Sequence, residues 1–342
     1  MKVKKIILII FVCCIIIIPM IFFLFNFKNI ELLPDSDNEF HDSYGGYLTY
    51  VDNTLAVSIK GKNKVDLYCK NNKHTVDADK AVKYKDNLIF NNQDGLHITN
   101  ESTHISSQLT SKAVTNFVVD NDKVYYCVSL DTNIYLYDLN SQKIEVLKSE
   151  YSDCEMIWFD VNSDFIYMVC LNREPVPYKS TTKQYILNSF DKETLNLAET
   201  FDFTADNRVK FYLCNNTVFL GETLVDELVL YRLNMQEQEK QSVFEMANVE
   251  SVTCNDRYIV FNVHEYVNTF FEETTDSEFN GLWQYDSKTD KLEKLSNMCV
   301  FDDLMLTENY VYTYENKYFL PRGWADSWIK GYNITQIPLN YK

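Results

Sequence analysis

Hydrophobic and polar positions alternate along most of this chain in short runs broken by Asn, Asp and Ser. The pattern is clearest between Asn116 and Lys148, where Asn116 to Val128, Asn133 to Leu139 and Lys143 to Lys148 read with period two as four strands split by polar turns. The Asn121-Asp122 pair joins two apolar runs by residues that tolerate positive φ, which is a hairpin signal. A meander of this kind has two faces to bury and needs copies of itself.

Seven matches to the same hairpin occur. Their turn pairs are Asp52-Asn53, Asp86-Asn87, Asn121-Asp122, Ser163-Asp164, Asn215-Asn216, Asn255-Asp256 and Glu308-Asn309. Each is followed in one register by Leu55-Ala56, Ile89-Phe90, Val124-Tyr125, Ile166-Tyr167, Val218-Phe219, Tyr258-Ile259 and Val311-Tyr312. A second signature marks the later turn: Tyr137-Asp138 with Ser141 and Ile144, Phe190-Asp191 with Thr194 and Leu197, and Tyr285-Asp286 with Thr289 and Leu292. The carboxylate and hydroxyl there accept turn amides that would otherwise go unpaired. The fifth copy, at Tyr231-Arg232, lacks it.

The hairpin turns lie 34, 35, 42, 52, 40 and 53 residues apart, bracketing the ~40–50 residues of a four-stranded propeller blade. The expected fold is therefore all-β, a seven-bladed β-propeller of four-stranded antiparallel blades, with blades near 46–80, 81–112, 113–150, 151–203, 204–248, 249–299 and 300–342. The first two repeats are short enough to lack an outer strand, and 328–342 either supplies the last blade's outer strand or leaves it to be borrowed. Tyr and Phe, 24 and 22 in number, suit the widening wedge between blades.

Residues 6–27 change the picture at the N-terminus. Ile6 to Phe25 is apolar but for Pro19, long enough to span ~30 Å of hydrocarbon as a helix. Lys2, Lys4 and Lys5 precede it while Glu31, Asp35, Asp37 and Glu39 follow, so residues 1–5 are expected in the cytoplasm and the propeller outside. No small-x-small cleavage site follows the run, which favours an uncleaved single-pass anchor in the bilayer over a signal peptide. Residues 28–45 read as a solvated polar tether, without the Gly and terminal Glu of an EF-hand loop.

The net charge of −17 disfavours nucleic acid as a partner. Seven cysteines follow the anchor without a Cys-x-x-Cys pair; Cys214 and Cys254 occupy equivalent places on adjacent repeats, too far apart for a bridge. The five histidines show no zinc spacing, and no cofactor motif occurs. Gly-x-Ser-x-Gly and phosphate-cradling loops are missing.

Length is added selectively to the loops between second and third strands: Asn172 to Lys183, Glu265 to Gly281 and Tyr318 to Ser327. Long loops in compact domains are disproportionately functional. These put Arg173, Tyr178, Tyr266, Phe270, Phe271, Arg322 and Trp324 on one face as candidate contacts for a protein or small ligand.

With Val124-Tyr125-Tyr126, Phe165-Ile166-Tyr167, Tyr310-Val311-Tyr312, Tyr137-Asp138 and Tyr285-Asp286, the chain resembles uncharacterised membrane-anchored propellers of Gram-positive bacteria. It is distantly similar to the YWTD (low-density-lipoprotein-receptor type) and TolB-type propellers. That resemblance implies a binding scaffold and transfers no catalytic residue. The alternative function is a carbohydrate-active or other hydrolytic propeller, which would gather carboxylates or a His in the central depression.

Overall fold

A computed structural model describes residues 41–339 apart from 44–45, 60–61, 70–71, 130, 149–153, 173–181, 207, 215, 225–226, 265, 269–272, 275–277, 299–301 and 319–328. Side chains of 224, 265–277 and 316–331 are likewise left out. The apolar run of 6–27 lies outside the described residues, among which no helix is long and apolar enough to cross a membrane.

The body from Pro34 onward is a seven-bladed propeller. Blade one holds β1 (His41–Asp42), β2 (Leu48–Val51), β3 (Thr54–Ser58), β4 (Val65–Cys69) and β5 (Asn72–Val76), and blade two β6 (Lys80–Tyr84), β7 (Asn87–Asn92), β8 (Gly95–Asn100) and β9 (Ile105–Thr110). Blade three holds β10 (Val114–Asp120), β11 (Lys123–Val128), β12 (Ile134–Asp138) and β13 (Ile144–Leu147). Blade four holds β14 (Cys154–Val161), β15 (Phe165–Asn172), β16 (Lys183–Asp191) and β17 (Leu197–Ala205). Blade five holds β18 (Val209–Cys214), β19 (Thr217–Leu224), β20 (Glu227–Asn234) and β21 (Glu239–Ala247). Blade six holds β22 (Val249–Cys254) and β23 (Tyr258–Val263), then a small hairpin of β24 (Tyr266–Asn268) and β25 (Glu273–Thr274), then β26 (Gly281–Asp286) and β27 (Lys291–Ser296). Blade seven has three strands, β28 (Asp303–Leu306), β29 (Tyr310–Tyr318) and β30 (Ile329–Pro338).

The two short repeats keep all four strands by using two-residue connections, as at Asn92↔Gly95 pairing. Blade seven departs from the four expected: the segment from Ile329 forms its third strand, and no outer strand follows among the described residues. Blade one departs the other way, because β1 pairs with β2 on its inner edge.

The first turns fall into two chemistries. Asp52-Asn53 and Asn121-Asp122 have φ of 47°, 61°, 45° and 62°, the left-handed pairs of a type I′ hairpin. In blade two the turn is Lys85-Asp86, one residue earlier than expected, since Tyr84 pairs with Asn87 and Lys85 has φ 52°. Blades four and six use a wider turn in which one Asn accepts two amides: Asn162 Oδ1 from Asp164 and Phe165, Asn255 Oδ1 from Arg257 and Tyr258.

The later turn is more regular than its sequence signature. Asp138, Asp191 and Asp286 accept turn amides as expected. Asn100 and Asn234 do the same, from Thr103 and Glu237, with His104, Gln142, Leu195, Gln238 and Asp290 at left-handed φ four residues on. The fifth repeat therefore keeps the device, at Asn234 rather than Arg232.

Adjacent blades share cores. The predicted second-strand register is buried except at the half-buried Phe90, with Tyr125, Phe219 and Tyr312 fully enclosed between blades. Gly95 and Gly281 both open third strands at φ 119° and 145°, where a Cβ would lie 2.0 and 2.1 Å from the carbonyls of Thr110 and Ser296. None of the described cysteines forms a disulfide; Cys254 donates to the Leu213 carbonyl and Cys214 to Ser287.

Candidate functional site

The inner strands run from one end of the ring to the first turns at the other, and between them lies a cleft of about 740 Å³ on the axis. Six blades line it, chiefly through the ends of β10 and β14 and the first turns, Asp52, Lys85, Asn121, Asn162, Ser163, Asn216, Asn255 and Asp256. β1 forms the remaining wall with His41 and Asp42.

Most charges here hold blades together. Lys80 Nζ donates to Asp42 Oδ2 at 2.5 Å, to Asn116 Oδ1 at 3.0 Å and to the Phe117 carbonyl at 3.1 Å, and lies 4.9 Å from the Phe117 ring centroid. One ammonium thus fastens β1, blade two and blade three. Lys192, almost wholly buried, crosses from the later turn of blade four to Asp120 of blade three and to the Asn162 carbonyl at 2.6 Å. Lys85 joins blades one to three, its amide on Asp52 at 2.8 Å and its ammonium on Asp122. Asn162 reaches Asn216 at 2.8 Å, and Asn255 the Thr307 carbonyl at 2.9 Å.

Two lining carboxylates are left over. Asp160 and Asp256 form no ion pair among the described residues. Asp160 sits at the end of β14 and accepts the Val161 amide at 2.8 Å. Burial pushes its carboxyl up to about 7, Asp42 adds to the rise, and the Val161 amide, Lys80 and His41 oppose it. Trp158, two residues earlier on the same strand face, also lines the cleft, with its ring 5.8 Å from Phe211. A bulge between Met156 and Trp158 sets that face. The cleft thus offers one carboxyl pushed up by burial, a second carboxyl without an ion pair among the described residues, an aromatic edge and a rim of side-chain amides. No three His, Cys, Asp or Glu among the described residues are grouped to hold a metal.

Of the seven residues expected at the site, Arg173, Tyr178, Phe270, Phe271, Arg322 and Trp324 lie outside the described residues, and Tyr266 is described only as backbone in β24. The three insertions all join second to third strands, so they begin and end at the end of the sheets opposite the first turns. The structure therefore brings a different set to the axis. Sequence reading missed Asp42, Lys80, Trp158 and Asp160. One signal was present: Asp160 stands where blades six and seven carry the fully buried Thr253 and Met305.

No family model matches the chain, and no curated protein matches it. Among solved structures it is similar to BamB from Moraxella catarrhalis, at 9% identity over 84% of this chain and 96% of that one, with a TM-score of 0.44. It is similar also to an acylaminoacyl peptidase of Pyrococcus horikoshii (12% identity, 79% of this chain and 43% of that one, TM-score 0.49). An oligogalacturonate lyase of Vibrio parahaemolyticus aligns over 82% of this chain and 88% of its own, at 12% identity and a TM-score of 0.38. Likeness this distant carries no argument about activity.

Proposed function

We propose that this protein is a membrane-anchored, extracytoplasmic propeller that works as a binding scaffold, residues 6–27 crossing the bilayer and the ring holding a polar, cationic ligand on its axis. The observation that supports this most is the axial cleft, in which Asp160 and Asp256 remain after every other lining carboxylate has been matched by a lysine or a turn amide. A cleft of this volume, lined by carboxyl and side-chain amide groups with Trp158 at one side, has room for a small polar molecule. The insertions bearing Arg173, Tyr178, Tyr266, Phe270, Phe271, Arg322 and Trp324 serve in this reading as a second face for a protein partner, and kinship with YWTD and TolB-type propellers belongs to the same proposal. Equilibrium binding of a polyamine to the full-length protein in detergent tests the axial site. Binding weakened by Asp160→Asn supports it; unchanged binding, or none, removes it.

A second reading is favoured by one observation. A carboxyl that titrates at about 7 is suited to general acid work near neutral pH. Release of new reducing ends from oligosaccharides by the wild type, lost in Asp160→Asn, would turn the scaffold into a hydrolytic propeller.

A further inference from the structure

Six blades place a fourth strand on their third: β5, β9, β13, β17, β21 and β27. Among the described residues blade seven alone stops at its third strand, β30, which at ten residues is the longest described strand. Its hydrogen-bonding parity follows from Leu339, whose amide donates to the Asn309 carbonyl at 2.9 Å. Counting back in register through Ile337↔Val311 and Thr335↔Thr313, the odd positions face β29, so Tyr332 and Ile334 turn their amides and carbonyls outward. No described strand meets them there. The positions from Tyr332 to Ile337 are half-buried or exposed, whereas the corresponding third strand β16 is buried from Tyr185 to Phe190.

The flanks define what fits. On the side of blade six, Ile337 and Leu295 of β27 both pack against the apolar cluster that blades six and seven share. Toward blade one, Tyr332 meets Asp66 and Tyr68, and beside them Lys73 keeps half of its side chain in water. Both neighbouring blades extend one strand further out than β30, so the edge lies in a notch ~4.8 Å deep. A single extended segment enters such a notch; the broad edge of a second copy, carrying its own flanking blades, is held off.

We propose that the outer edge of β30 is a docking site for an extended strand of a partner protein, added antiparallel as the missing fourth strand, with apolar residues toward Leu295 alternating with acidic or hydroxyl residues toward Lys73. The fourth strand of blade four supplies the chemistry. In β17, Phe201, Phe203 and Ala205 alternate with Thr200, Asp202 and Thr204. Main-chain bonds give such addition its affinity and alternate side chains its selectivity. This site is on the rim and independent of the axial cleft, so its failure leaves the reading of the cleft standing.

The test uses hydrogen exchange on the full-length protein with a synthetic peptide of residues 196–206 in excess. Exchange at the Tyr332 and Ile334 amides is expected to slow by at least about tenfold. A scrambled peptide should have no such effect. Ile334→Pro removes only an outward amide, leaves the β29 ladder whole, and should abolish the protection while the rest of the exchange pattern persists. Unchanged exchange, equal protection by the scrambled peptide, or survival of protection in Ile334→Pro would overturn the proposal. So would protection already complete without peptide, which would mean that the chain fills its own edge, or protection that rises with protein concentration alone, which would mean a second copy does.

Discussion

Tyr332 on β30 donates its hydroxyl to Asp66 on β4, 2.5 Å away and 266 residues earlier, across the seam where the ring closes. Tyr68 lies 2.6 Å from the same hydroxyl, and Thr75 and Lys73 complete the carboxylate's partners at 2.7 Å each. Two stacked pairs, Tyr47 with Tyr314 and Tyr50 with Tyr312, continue the seam inward to Asp303, which holds Ser43 and the Tyr47 amide. Among the described strands blades one and seven share no sheet, and these side chains join them across the seam.

Asp66→Asn should therefore weaken closure by about 2–3 kcal/mol, since a buried acceptor of three donors becomes a mismatched amide. Urea denaturation measures this. Burial alone would raise the Asp66 pKa, but the bonds from Lys73, Thr75 and Tyr332 outweigh it and hold the carboxyl below its ordinary value. A depressed carboxyl stabilises the fold above its unfolded pKa and loses that contribution as pH falls through the folded one. Acidification below about pH 4 should therefore loosen the wild-type seam, with the loss absent in Asp66→Asn.

Asp160 predicts the opposite slope. Its carboxyl is raised to about 7, so the folded state holds that proton more tightly than the unfolded chain and loses stability as pH climbs from about 4 through 7. Asp160→Asn should raise the melting temperature at pH 8 and leave it nearly unchanged at pH 4. Carbon NMR of the Asp160 carboxyl should titrate near neutrality; an ordinary carboxylate value would remove both expectations.

Lys80→Met should release β1. Asp42 would keep only Thr49 Oγ1 at 2.9 Å, and the expected loss is about 2 kcal/mol for breaking a largely buried pair. Amide exchange at Tyr50, whose amide faces β1, should quicken while blades four to six keep their protection.

Gln142 lies exposed at φ 58°, a conformation that favours glycine. Gln142→Gly should stabilise by about 0.5–1 kcal/mol, and Asp138→Ala, which removes the acceptor of the Asn140 and Ser141 amides, should destabilise. Thermal melts of the pair would show opposite shifts.

The ring was legible because its instructions are local. Period-two alternation, Asn-Asp turn pairs and one buried register recur within each repeat, so Val124-Tyr125 or Ile166-Tyr167 can be placed without knowing their neighbours. Where chemistry was shared between residue types, the reading fell short: Asn100 and Asn234 do the work of Asp138, and a search for aromatic-Asp passes over them. The axial cleft was not legible because it is built from pairs far apart in the chain, Lys80 with Asp42 and Lys192 with Asp120. Nothing in alternation reports which inner-strand residue meets which across an axis.

β1 belongs to none of the four-strand repeats, yet it supplies one wall of the cleft. A two-residue shim of this sort can change without altering the strand order of the frame, so long as Lys80 keeps a partner. Changes of bore and charge in such a protein are thus open to the few positions around His41 and Asp42, leaving the seven sheets to keep their form.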